Sequence, residues 1–223
     1  SRGALLRDRT SLLYPRHFSQ AYVELEKLAG TCTYAEVRNL TTKSVDQAAE
    51  LARPTGLSGA FGKAMDHDGG EYGQAILSRF PIGDTQVHQL PGDGEPRIAF
   101  EAEVTVNGKA LRMITVHLDH QQDQRRLKQA ETLAKALENH HEPMVLAGDF
   151  NDTPGSAPLA AFGDPWKAVA KKDGALTCPA KDPKVEIDHI LARGLEPADL
   201  VEVLPEAVAS DHRPLVVSFK LAE

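Results

Sequence analysis

Apolar and polar positions along the chain follow two periods. The clearest helical one lies in DQRRLKQAETLAKALEN, where Leu127, Ala130, Leu133, Ala134 and Leu137 recur at three- and four-residue spacing and predict one apolar face. From Ser19 the stretch SQAYVELEKLAG predicts a second helix, with the serine as cap and Gly30 as terminator. Ser44 is placed to cap a short third one, VDQAAELA, which Pro54 should stop. Strand patterns occur in TCTYAEV, GQAILSRF, TQVHQL and RIAFEAEVTV. The last of these meets ALRMITVHL across Asn107-Gly108, a strong hairpin signal. PMVLAGDF reads as a compact buried strand, and VEIDHILA and PLVVSFKL close the chain as strands, with ADLVEVL a weaker one between them. Many strands, several adjacent and antiparallel, with helices interposed, predict two packed sheets and outer helices. That is one layered α+β domain over residues 1–223, with 1–30 atypical.

Composition adds limits. Of 223 residues, 41% are apolar and 26% charged, as in an ordinary globular chain. No stretch approaches the ~20 apolar residues of a membrane span, and no signal peptide is visible. The chain starts at Ser1 and its compartment is unreadable. Cys32 and Cys178, free to pair or to stay apart, lack metal-type spacing and read as small core residues. The net charge of −7 argues against gripping duplex DNA through its phosphates, which takes a basic surface. An acidic protein that handles phosphate would use a metal ion as its positive charge, and a small phosphate ester fits it better than a duplex.

The candidate chemistry sits where apolar strands meet polar clusters: TVHLDH, AGDFND, EIDHI and ASDHRP, with Glu36 in YAEV a weaker fifth. Singly, each is explained by turn chemistry, a hydrogen-bonded structural histidine or a solvated face. Jointly, His117, Asp149, Asn151, Asp188, Asp211 and His212 are the parts of one reaction. Phosphate ester hydrolysis uses a hard cation held by carboxylates, a histidine base oriented by a carboxylate, and donors for the pentacoordinate state.

GDFN, DHI and SDHRPL, with AILSRFPI and VHL upstream, resemble the endonuclease/exonuclease/phosphatase (DNase I-like) superfamily from about Glu36 to Val217. The resemblance implies a four-layer α/β/β/α sandwich of two mostly antiparallel sheets with outer helices. It also implies a divalent-metal-dependent phosphodiesterase, phosphatase or nuclease, with Mg²⁺ the usual ion and Mn²⁺ a substitute. His212 then corresponds to the general base and Asp188 to the group orienting it. Asp149 and Asn151 match the pair that holds the nucleophile and the scissile phosphate. His117 corresponds to the histidine on the leaving side, Glu36 and Asp211 to metal ligands, and Arg97 in EPRIAF to a phosphate contact. GDFND also matches part of the calcineurin-like two-metal pattern, but the early DxH and later GNH of that class are absent.

One departure stands out. The family pattern opens on a strand with an asparagine, whereas here no asparagine precedes Asn39 and the expected Gln-Glu is Ala35-Glu36. The first strand is therefore expected to be missing or altered. The alternative to catalysis is an impaired family member that acts as a binding module. The loops expected to carry substrate choice are DHDGGEYG and residues 153–178.

Overall fold

The computed structural model describes residues 20–25, 31–39 and 45–220. Two sheets lie face to face. The first comprises β1 (Gln20–Leu25), β2 (Thr31–Asn39), β3 (Ser58–His67), β4 (Gly70–Ser78) and, from the chain's end, the two-residue strands β11 (Glu196–Pro197) and β12 (Glu202–Val203) with β13 (Leu215–Lys220). Its order is β11-β13-β1-β2-β4-β3, with β12 also on β13. The second is β5 (Ile82–Leu90), β6 (Arg97–Val106), β7 (Lys109–His117), β8 (Met144–Asp149), β10 (Asp188–Arg193) and the two-residue β9 (Lys167–Ala168). Among the described strands, β1–β13 and β7–β8 pair parallel and the other ladders antiparallel.

Alternation assigns each side chain a face. Ile76, Leu215, Val217 and Phe219 of the first sheet meet Ile98, Phe100, Met113, Val145, Ala147 and Ile190 of the second in one buried cluster. The opposite face of the second sheet (Ile114, Val116, Met144, Leu146) is covered by Ala130, Leu133 and Leu137 of helix α2 (Asp123–Ala136) and the residue after it. The opposite face of the first sheet (Val37, Ala75, Leu77) is covered by Ala48 and Ala52 of helix α1 (Gln47–Thr55). These are the four expected layers. No helix among the described residues is long and apolar enough to cross a membrane.

Several local expectations need correction. The segment from Gln20 to Leu25 is a strand, not the start of a helix. Its residues alternate as well as they repeat helically, and its backbone groups are bonded between β13 and β2, where a helix would leave both ladders open. The first strand is thus present in altered form, with no asparagine. The rest of that predicted helix and the Ser44 cap lie outside the described residues. The cap of α1 is Asp46, whose carboxylate accepts the Ala49 N–H at 2.9 Å. The helix runs one residue past Pro54, because a proline in the last turn meets backbone that is already leaving the helix, and Gly56 in a left-handed conformation closes it.

The strand β3 had no clear pattern in the sequence, being glycine-rich. The DHDGGEYG segment is no open loop: Asp68 (φ 47°) and Gly69 (φ 76°) form a tight hairpin turn between β3 and β4. Asn107 (φ 51°) and Gly108 (φ 79°) do the same between β6 and β7, as expected.

A buried ion network lies on the helix side of the second sheet. Glu101 is fully buried, accepts Arg112 at 3.0 Å and stands 2.7 Å from His88 Nε2. Burial alone would push its carboxyl up, but the His88 hydrogen bond, His140 and Arg112 outweigh this and hold its pKa below the usual glutamate value. A carboxylate with a depressed folded-state pKa contributes stability above its unfolded pKa and loses it as pH falls through the folded one. We predict that Glu101→Gln costs about 3 kcal/mol at neutral pH, since a buried pair loses one partner. The gap to wild type in denaturant unfolding should shrink as the pH drops below about 4.5. A pH-independent gap would show that the ionised form is not what stabilises.

Candidate active site

The inter-sheet stripe that is apolar through the core turns polar at one end of the second sheet. On β7 it reads Leu111, Met113, Thr115, His117; on β8 it reads Val145, Ala147, Asp149; on β10 it reads Ala192, Ile190, Asp188. Register brings the last of each together: His117 pairs with Asp149 across the parallel β7–β8 ladder, and Asp149 with Asp188 across β8–β10. Three polar residues thus form one row at the open edge of the core. The strands approach closely because residue 148 is glycine. At φ 153°, a Cβ there would sit 2.0 Å from the Val116 carbonyl oxygen.

His212 reaches this row from the loop before β13. Its Nδ1 lies 3.0 and 2.9 Å from the two oxygens of Asp188. The Asp188 N–H and the Ile187 N–H both point to Thr177 Oγ1, which fixes the strand's start. The His212 loop is stitched to the 177–180 segment by Ala180 N–H to Asp211 O (2.6 Å) and Arg213 N–H to Thr177 O (2.8 Å). Asp149 Oδ1 accepts the Asn151 N–H at 2.7 Å, and Asn151 Nδ2 donates to the Leu118 carbonyl at 3.0 Å. Asn151 sits at φ 51°, a conformation asparagine tolerates better than most residues. His117 Nε2 is 3.6 Å from Asp149 Oδ2.

The two histidines are driven in opposite directions. Burial works against a charged imidazole at His212. The Asp188 hydrogen bond, the Cys178 thiol and the charges of Asp188 and Asp149 outweigh it, and its pKa is pushed up to about 12. Burial at His117 is reinforced by the positive charge of Arg97, His212 and His120, which holds that ring well below the usual histidine value and neutral.

The remaining expected residues are placed less uniformly. Ligand atoms of Asp149, Asp188 and His212 lie within 4.8 Å of one another, the one potential metal-binding group among the described residues. Asp211 is exposed beside it and is not part of that group. Glu36 lies on β2 where the register slips, so that Ala35 and Glu36 together oppose Gln74; its side chain is outside the described residues, as is that of Cys32. Cys178 is a half-buried free thiol rather than a core residue, since it stands at the site next to His212. Arg97 is 4% exposed at the start of β6 and gives Nη2 to His120 Nδ1 at 3.0 Å, while its Nε and Nη1 have no partner.

A supporting shell escaped the sequence reading. Arg126 of α2 donates to the Asp119 carbonyl (2.9 Å) and to Asp152 (3.0 Å), and Gln129 accepts the Asp119 N–H (2.8 Å). His189 Nε2 is 2.8 Å from the Asp152 carbonyl. These bonds hold the segments that follow His117 and Asp149. The only signal for them was a polar residue at each of two buried helix positions.

The profile of the Endonuclease/Exonuclease/phosphatase family matches residues 18–212. The chain belongs to this family. Its members are generally hydrolases of phosphoesters. Among curated relatives, the Uncharacterized protein YbhP of Escherichia coli is 29% identical over 174 residues, covering 73% of this chain and 68% of its own. A Bacteroides thetaiotaomicron mannosyl-6-phosphatase shares the fold at a TM-score of 0.65 and 19% identity, covering 78% of this chain and 80% of its own. A Staphylococcus aureus beta toxin variant with bound magnesium ions shares it at a TM-score of 0.55 and 17% identity, covering 64% and 66%.

Gly148→Ala tests whether the close strand approach builds the row. We predict a loss of roughly 2–3 kcal/mol, about 5–10 °C in Tm, from strain and clash at the Val116 carbonyl. An unchanged thermal midpoint would mean that β7 and β8 can separate without penalty.

Proposed function

We propose that the chain is a divalent-cation-dependent hydrolase of phosphate esters, with His212 as the base and Asp188 as the group that orients it. The observation that carries this reading is the His212–Asp188 pair standing beside Asp149 and His117 at the mouth of the inter-sheet core. Asp188 on Nδ1 leaves Nε2 as the nitrogen that takes a proton from water as the water oxygen attacks phosphorus. While the carboxylates of Asp149 and Asp188 are uncompensated, His212 keeps its proton. Compensating their charge brings the imidazole down to where it can accept one.

The donor set fits a hard cation, because carboxylate oxygens suit Mg²⁺ or Mn²⁺. Since Asp188 is engaged by His212, Asp149, Glu36 and Asp211 are the residues assigned to hold it. When bound, the ion would neutralise charge on the phosphate oxygens. Asn151 and the neutral His117 are assigned as donors to the pentacoordinate phosphate, and His117's depressed pKa favours stabilising the leaving oxygen over protonating it. Arg97 is assigned as a contact to a substrate oxygen, a reading supported by its unpartnered Nε and Nη1. The net charge of −7 supports a small ester over duplex DNA, and the mannosyl-6-phosphatase of the same fold accords with that preference.

The test is turnover of a panel (a monoester, a diester, single-stranded DNA, abasic DNA, sphingomyelin and an inositol phosphate) with Mg²⁺, with Mn²⁺ and with chelator. We expect metal-dependent turnover that His212→Ala lowers by at least about 10²-fold while cooperative thermal unfolding is kept. Turnover by the variant at the wild-type rate would refute the base assignment. Folded wild-type protein that turns over no member would favour a binding role. Glu36→Gln should raise the Mg²⁺ concentration for half-maximal rate by about 10-fold or more. An unchanged metal dependence would remove Glu36 from the ligands.

A further inference from the structure

Two buried residues that line one cavity beside His117 carry three polar atoms without partners. Gln74 is 3% exposed and faces the inter-sheet space, one alternation beyond Ile76. Its Nε2 donates to the Ile98 carbonyl at 2.7 Å, which fixes the amide's orientation and leaves Oε1 with no partner. Arg97 contributes Nε and Nη1, both buried and unpartnered. Both residues line a cavity of about 10 Å³ that is also walled by Tyr72, Pro96, Ile98 and His117. A space of that size seats one water-sized group. Leaving such atoms buried and unpaired costs about 1–3 kcal/mol each, so a group that satisfies all of them is strongly selected.

We propose that this cavity is a hydroxyl-reading subsite, and that the ester hydrolysed at the neighbouring centre is a phosphorylated polyol. The proposal rests on the hydrolase reading above. A hydroxyl has one hydrogen and two lone pairs. Gln74 Oε1 takes the hydrogen, and Arg97 Nε and Nη1 donate to the lone pairs. An aryl or alkyl group offers none of these and would leave all three atoms unpaired. Because His117 forms one wall, the hydroxyl read here belongs to the same molecule as the phosphate that His117 faces, on the alcohol it esterifies.

Rates would be measured with Mg²⁺ on the glycerol and n-propyl esters of phosphate, each as the monoester and as the p-nitrophenyl diester. Wild type, Gln74→Met and Gln74→Glu would be compared, with thermal unfolding of each. Wild type is expected to favour the glycerol ester by about 10-fold or more in kcat/KM, because an analogue that lacks the hydroxyl leaves the site's polar atoms unpaired. Gln74→Met should bring the two esters within about threefold of each other, and Gln74→Glu, which keeps an acceptor oxygen, should retain the preference. Equal wild-type rates on the two esters would overturn the subsite and leave the hydrolase standing. Equal losses on both esters in Gln74→Met would also overturn it, and would make the cavity a seat for structural water. Turnover of none of the four esters by a protein that hydrolyses another member of the panel above would overturn the subsite and leave the hydrolase standing. Inactivity on that whole panel as well would remove the hydrolase reading, and the subsite with it.

Discussion

The register of β8 against its two neighbours is the constraint on which the site depends. One backbone ladder sets Asp149 beside His117 and another sets it beside Asp188, and period-two alternation then points all three toward the gap between the sheets. A slip of one residue in either ladder would turn an acid toward α2 and an apolar side chain toward the mouth. The inter-sheet core enforces the register, because Val145, Ala147 and Ile190 on the same stripe are buried against the other sheet. Packing and chemistry are therefore specified together: the stripe must stay apolar to hold the sheets, and becomes polar only where the core ends.

What surrounds that row is held by hydrogen bonds to its backbone as well as by the buried apolar side chains of Leu118 and Phe150. Arg126 and Gln129 extend from α2 to the backbone after His117, and His189 extends to the backbone after Asp149. Each is nearly buried, and each makes the bonds that a buried polar group needs. Loops that would otherwise be loose are thereby fixed to a helix and a strand, which is how short polar segments can present side chains with defined geometry.

The electrostatics divide the two histidines by position alone. His212 is at the end of the row next to two carboxylates, which outweigh its burial and drive it toward its charged form. His117, at the other end, is driven toward its neutral form by burial, reinforced by the charge of Arg97. Environments that push two like groups apart are the usual sign of separate acid–base roles. The proposed assignment of base and neutral donor rests on which end of the row each occupies.

Much of the fold could be read from residue order. The amphipathic face of α2, the Asn107-Gly108 turn, the buried strand ending in Asp149 and the polar clusters at the strand termini are all local patterns, and local patterns survive without a partner. The segment from Gln20 to Leu25 could not be read, because six residues that suit helix and strand alike are decided by the strands on either side. Nor could β3, whose glycines carry no pattern, or the Gln74–Arg97 cavity, whose two main residues lie on different sheets. Sequence alone determined which chemical groups the protein owns and that they cluster where apolar runs stop. Tertiary structure decided which of them meet, which are buried without partners and which way each titrates, because those depend on distances between strands remote in the chain.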